Sequence, residues 1–204
     1  MKINKQFSYP KSMRSVINGG RHYDIDGDKL PSVTTILSAC QSDEKKASLA
    51  AWKARMGDKA ADEVRDTAAA RGTAMHTYLE HYLDGTGYKD LTTLGKQAEV
   101  MANKIIESGL GDLEELWGLE TTLYYPDLYA GATDVVGIYA GQPAIIDFKQ
   151  SNKPKRREWI LDYFEQLGAY AMAHNQVYGT KIQSGIVLMC TKDFLFQKFE
   201  VSGR

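Results

Sequence analysis

The amino-acid sequence predicts an α/β (α+β) domain: a mixed sheet flanked by helices, with a helical elaboration on its N-terminal side. Three observations predict it. Between Ser42 and Ser108 the chain is rich in Ala, with apolar residues at helical spacing. After Gly111, short segments of β-branched and aromatic residues alternate with turn residues. One amphipathic helical segment then interrupts the strands before two more follow. With 204 residues, 43% apolar and 25% charged, the chain has the make-up of an ordinary globular domain with a full core.

Taken in order, residues 1–30 read as a basic arm and hairpin, and residues 31–204 as a single domain, helical over 31–110 and sheet-forming over 111–204. The first 22 residues carry Lys2, Lys5, Lys11, Arg14 and Arg21 with no acid. Such a segment reads as a solvated, partly ordered arm, or as one that contacts a nucleic-acid backbone. HYDIDGDKL follows as a hairpin turning at Asp26-Gly27. Ser32 caps a short helix in VTTILSAC, and Ser42 caps a second that carries acids in its first turn. In that second helix Leu49, Trp52 and Met56 fall at helical spacing, and Gly57 breaks it. Two further helices run from about Lys59 to Leu83 and from about Thr92 to Ser108, stopped by Asp84-Gly85 and Gly109. WGLETTLYY, YAGATDVVGIYA and PAIIDFKQ are consecutive antiparallel strands, separated at Pro126-Asp127 and Gly141-Gln142. The basic loop SNKPKRRE leads into a helix with Ile160, Phe164, Leu167 and Ala171 on one stripe and Gly179 as its stop. QSGIVLMC and FLFQKFEV close the sheet.

Composition excludes several functions. Lys and Arg number 25 against 26 acids, a net charge of −1, so any nucleic-acid surface is local. Cys40 and Cys190 are too few for a four-thiolate zinc or iron–sulfur site. No apolar run reaches the roughly 18 residues of a membrane span, and MKINKQFSYPKSMRS lacks a signal peptide's apolar middle. A soluble, cytoplasmic protein without membrane partners is expected.

The stretch from Asp134 to Lys149 carries the chemistry. In AIIDFKQ, Asp147 and Lys149 stand two apart on a predicted strand, so both point to one face. With a hairpin turn near Gly141, Asp134 on the preceding strand lies at nearly the same distance from the turn as Asp147, and the carboxylates meet across the pair. Two adjacent carboxylates repel unless a cation intervenes, and oxygen ligands favour Mg²⁺ or Mn²⁺, as one ion or two. Lys149 would then orient a water or neutralise a phosphate oxygen. On the D-x-K triplet alone, a surface ion pair is the commoner reading.

G-x-x-D followed about a dozen residues later by D-x-K resembles the PD-(D/E)xK nuclease superfamily, and more narrowly its RecB-like exonuclease branch. ARGTAMHTYLE is similar to that branch's upstream helix, WGLETTL to its acidic strand and EQLGAYAMA to its Q-x-x-x-Y helix. LPSVTTIL, AWKARM and IDFKQSNKPK resemble the mitochondrial genome maintenance exonucleases and their phage relatives. The resemblance implies a restriction-endonuclease-like core. It also implies metal ligation by Asp134, Asp147, the backbone carbonyl of Phe148 and, as an auxiliary, His76. Lys149 becomes the catalytic lysine, Gln166 and Tyr170 face the site, and Glu120 acts through a second metal or a water. His76 with Glu80 at i, i+4 also fits a plain helix-surface pair. Lys153, Lys155, Arg156 and Arg157, with Trp159 and Tyr163 after them, would grip and stack on DNA. The implied function is a Mg²⁺- or Mn²⁺-dependent DNA exonuclease without an iron–sulfur cluster. It would prefer single-stranded ends and act in phage replication, recombination or DNA repair beside the proteins of those processes, with residues 42–108 arching over the site. The alternatives are an inactive DNA-binding or structural module on the same fold, or an endonuclease of the same superfamily.

Overall fold

A computed structural model describes residues 1–203; Arg204, the last residue of the expected domain, lies outside the described residues. The chain opens with β1 (Lys2–Ile3) and a small antiparallel sheet of β2 (Met13–Ile17), β3 (Gly20–Ile25) and β4 (Asp28–Pro31). Helices α1 (Val33–Ala39), α2 (Asp43–Met56), α3 (Asp58–Asp84) and α4 (Thr93–Gly109) follow. Then come β5 (Leu113–Tyr125), β6 (Tyr129–Tyr139), β7 (Gln142–Ser151), α5 (Leu161–Tyr178), β8 (Ser184–Thr191) and β9 (Phe196–Ser202). The main sheet is mixed, ordered β1-β5-β6-β7-β8-β9. The run β5-β6-β7 is antiparallel as expected, while β7 and β8 are parallel because α5 makes the crossover between them.

Local chemistry sets the boundaries. The side chains of Ser32, Ser42 and Thr92 accept from the N–H groups of Thr35, Lys45 and Gly95, capping α1, α2 and α4. Gly85 and Gly179 close α3 and α5 in the left-handed conformation, at φ 77° and 66°. Alternation along the inner strands divides the core into two layers. Ile146, Phe148 and Leu188 face α3 and α4 with Met75, Leu79, Met101 and Ile105. Ile145, Val187 and Met189 face α1 and α5 with Val33, Leu167 and Tyr170. No described helix is long and apolar enough to cross a membrane.

Three expectations need correcting. The hairpin turning at Asp26-Gly27 forms as expected between β3 and β4, but the segment before it is more ordered than a solvated arm. β1 pairs in parallel with Glu115 and Leu116, and Phe7 and Tyr9 pack in an aromatic cluster with Trp117, His174 and Tyr178. The spacing of Leu49, Trp52 and Met56 makes no core stripe: α2 buries no residue, and Leu49 is 60% exposed. The buried face of α5 is Gln166, Leu167, Tyr170, Ala173 and His174, so Phe164 and Ala171 lie to its side. The helix is turned to present its polar groups to the sheet, which the apolar stripe alone does not reveal.

Candidate active site

The site lies where β6 and β7 part. Their ladder is in register from Tyr139↔Gln142 to Val135↔Ile146 and ends there, one step before Asp134 and Asp147. Past that fork the Asp134 carboxylate replaces the lost ladder bond, its Oδ2 accepting the Phe148 N–H at 2.6 Å. Both carboxylates are buried, at 7% and 3% exposure. On the other side of β6, Glu120 of β5 falls between the registered pairs Leu119↔Val135 and Thr121↔Thr133, opposite Asp134. Glu120 is at φ 47°, a left-handed conformation inside a strand that a non-glycine residue rarely adopts. Strain of that kind persists where its surroundings impose it, and it concentrates at functional sites.

Helix α3 supplies His76. Met75 and Leu79, fully buried, fix the helix on the sheet, and His76 Nδ1 comes to 3.4 Å from Asp134 Oδ1. Ligand atoms of His76, Glu120 and Asp134 all lie within 4.8 Å of one another. One imidazole and two carboxylates at that spacing are a donor set for a divalent cation. Asp147 is not one of the three. It makes an ion pair with Lys149 Nζ through Oδ2, which has no directed hydrogen bond, while Oδ1 accepts from Gln166 Nε2 at 3.4 Å.

The Gln166 amide is the hub of the second half of the site. Its Oε1 accepts from Lys149 Nζ at 3.3 Å, and its Nε2 also donates to the Tyr170 hydroxyl at 3.3 Å. Lys149 Nζ lies 5.0 Å from the Tyr163 ring centroid. The glycine of G-x-x-D has a specific task here: a Cβ on Gly131 would stand 2.7 Å from the Tyr170 ring and hydroxyl. Bare backbone on β6 is what admits Tyr170, linking two motifs that the sequence shows only as separate signals.

Charge balance orders the protons. Burial opposes the His76 cation, but the Asp134 carboxylate and then Asp147 outweigh it and push its pKa up to about 9. Asp134 is lowered despite burial, because His76 and Lys149 are near and Phe148 donates to it. Asp147 goes the other way: burial, with Asp134 beside it, raises it against the pull of Lys149. Lys149 is raised, since Asp147 and Asp134 more than offset its burial. The Glu120 carboxyl loses water inside the cluster and faces Asp134, which together push it up to about 7. Three carboxylates against two cations leave this centre short of positive charge.

The structure thus brings together His76, Glu120, Asp134, Asp147, Lys149, Gln166 and Tyr170. His76 pairs with Asp134 rather than with Glu80. The Phe148 side chain is core, and its N–H is committed to Asp134. The basic loop follows β7, but its cations differ in freedom. Arg157 donates to the Glu200 carbonyl at 2.7 Å and lies over Phe164, and the Lys155 N–H donates to Gln197. Lys153 is exposed. Arg156 sits over Trp159, 5.2 Å from its ring centroid, and that ring is 55% exposed. One residue of the quoted ARGTAMHTYLE segment was given no role by the sequence reading: Arg71, buried beside the end of β7. Its only signal was an arginine in an Ala-rich helix, which reads as surface.

No protein-family model matches the chain. Against human mitochondrial genome maintenance exonuclease 1 it is 29% identical over 177 residues, 80% of this chain and 50% of that protein. The chain resembles that exonuclease. The proteins of the same name from Xenopus tropicalis and Mus musculus agree: 29% over 178 residues, covering 80% and 49% of the two chains, and 28% over 179 residues, covering 83% and 52%. The chain spans about half the length of the curated relatives it matches. The likeness accords with the nuclease superfamily to which the motifs point.

Proposed function

We propose that this chain is a divalent-metal-dependent DNA exonuclease that hydrolyses phosphodiester bonds and prefers single-stranded ends. The observation that carries the reading is the convergence of His76, Glu120 and Asp134 within 4.8 Å, next to the Asp147–Lys149–Gln166 group. The relatives reported above, all named as exonucleases, support it. Asp134, Glu120 and His76 would hold Mg²⁺ or Mn²⁺, with Asp147 and the Phe148 carbonyl at the margin. When bound, such an ion supplies Lewis acidity toward a phosphate oxygen and a water of lowered pKa.

The chain's own groups do the rest. Lys149, held charged by Asp147 and Asp134, places a cation where negative charge develops on the phosphate. Gln166 fixes that ammonium and the Asp147 carboxylate in one geometry, and Tyr170 fixes Gln166. Trp159 and Tyr163 offer ring faces to unpaired bases, a sequence-tolerant form of binding. Helix α2 buries nothing and is tied to α5 by a Lys45–Asp162 ion pair at 3.0 Å; as an arch over the entry it would favour a threaded strand.

The test is a time course with Mg²⁺ or Mn²⁺ on an end-labelled linear single strand, a duplex and a covalently closed single-stranded circle. The linear strand is degraded and the circle resists. Asp147→Ala and Lys149→Ala abolish cleavage while keeping the fold. Full activity in either folded variant or in excess EDTA overturns the hydrolytic reading, and rapid cutting of the circle overturns the threading.

A further inference from the structure

Arg71 is 6% exposed, and its guanidinium meets only uncharged acceptors. Nε donates to Gln150 Oε1 at 2.9 Å, Nη2 to Asn152 Oδ1 at 2.5 Å and Nη1 to Gln97 Oε1 at 3.5 Å. Among the described residues it makes no ion pair. Burial lowers its pKa, and the Asp193 carboxylate, out of contact, offsets this only in part. A buried cation held by amides alone is costly, and proteins ordinarily match it with an anion. A guanidinium has five N–H donors, so one on each terminal nitrogen remains after these three bonds.

Arg71 lines a cavity of about 470 Å³ shared with Asn152, Lys153 and Lys192. Glu63 is the one carboxylate among the lining residues, and it is exposed. The cavity lies close to the candidate active site. Arg71 precedes His76 by five residues of α3, roughly 7.5 Å of helix rise. Asn152 follows Lys149 by three residues, roughly 10 Å of extended chain. Gly72 allows this meeting of α3 and β7, because a Cβ there would stand 3.2 Å from the Gln150 side chain.

We propose that this cavity is a phosphate subsite. It holds one backbone phosphate of a nucleic-acid strand, a short and fixed distance along the strand from the bond being cut. The two remaining N–H groups of Arg71 form the fork suited to bidentate phosphate recognition, and Lys153 and Lys192 add mobile charge. The inference rests on the proposed nuclease function for its choice of ligand. It would fix the register of the strand on the site, so that the chain measures distance from the cut bond by charge and not by base.

The test is binding in EDTA, where no cleavage confuses it. The full-length protein is titrated with labelled single strands in which one phosphate at a time is replaced by a neutral methylphosphonate, and anisotropy is read at several salt concentrations. The expected result is a loss of about tenfold for one linkage, at a fixed offset from the position cut in Mg²⁺. In Lys153→Ala/Lys192→Ala, whose exposed side chains are not needed for folding, the same linkage costs less than about twofold. The salt slope of that variant falls by up to about 0.7, the value for one phosphate of a single strand. Arg71→Lys, with its melting temperature checked, keeps the charge and still loses the linkage effect. A loss spread evenly over all linkages, or an unchanged pattern in the double variant, overturns the subsite even if the protein cuts DNA. So does a melting temperature raised by inorganic phosphate alone without any linkage effect, since that marks a free-anion site. A protein that shows the linkage pattern but cuts nothing with any divalent ion keeps the subsite and loses the nuclease reading.

Discussion

His174 makes the N-terminal segment acid-sensitive by an amount the structure allows to be worked out. The residue is fully buried, and loss of water lowers its pKa to about 4. Its tautomer follows from its partners. The Thr180 hydroxyl donates to Asn175 Oδ1 at 2.8 Å, so at 2.7 Å it accepts from His174 Nδ1–H, and Nε2 is left to accept from the Tyr9 hydroxyl at 3.1 Å. The neutral ring is therefore the form that fits. A histidine whose folded pKa lies below its unfolded value of about 6.5 destabilises the protein as pH falls, because the unfolded chain takes the proton first. The loss begins near pH 6.5 and is complete below about pH 4. Between pH 7 and about pH 4.5 it amounts to roughly 2 kcal/mol. Other groups titrate in the same window, so the measurement is a difference: urea midpoints of the native protein and of His174→Gln at both pH values. The substitution destabilises at pH 7 by removing a bond at each ring nitrogen, and that penalty shrinks by about 2 kcal/mol at the lower pH. A penalty that stays constant, or a His174 titration near pH 6.5 by NMR, refutes the reasoning.

Gly131→Ala drives a methyl into Tyr170, which is itself 2% exposed and cannot retreat. It should lower stability by about 1–3 kcal/mol in urea and reduce any nuclease activity by loosening Gln166. Glu120→Gly removes both the left-handed strain and a carboxylate facing Asp134, and should raise stability by about 1 kcal/mol while weakening divalent-ion binding in calorimetry. Thr133 is fully buried with an orphaned hydroxyl, so Thr133→Val should leave the melting temperature equal or higher.

The strands from β5 onward and every helix were legible because turn residues and caps mark their ends locally: Pro126-Asp127, Gly141, Ser32, Ser42, Gly179. β2 was not legible, since Met13 and Val16 are both largely exposed and no alternation betrays a buried face. Asp134, Asp147 and Lys149 could be read because they sit on adjacent strands joined by a tight turn, where counting residues gives the register. His76 could not be matched with Asp134 by counting. The two lie on different elements, and proximity along the helix offers only Glu80. Arg71 was invisible for the same reason, as its partners Gln97, Gln150 and Asn152 come from α4 and the end of β7.

The seam between the N-terminal segment and β5 has a consequence for self-association. β1 covers only Glu115 and Leu116 of a 13-residue strand. Further along, the margin is guarded by side chains and not by a strand: Phe7 against Trp117, the Tyr9 ring against Gly118, and the Ser12 hydroxyl 2.7 Å from that of Thr122. A sheet edge without a full partner strand is a template for another strand. Because Tyr9 donates to the neutral His174 ring, protonation of that imidazole removes one of the bonds that hold this guard in place. Acid near pH 4, where the folded ring takes its proton, would then favour pairing of β5 of one molecule with β5 of the next.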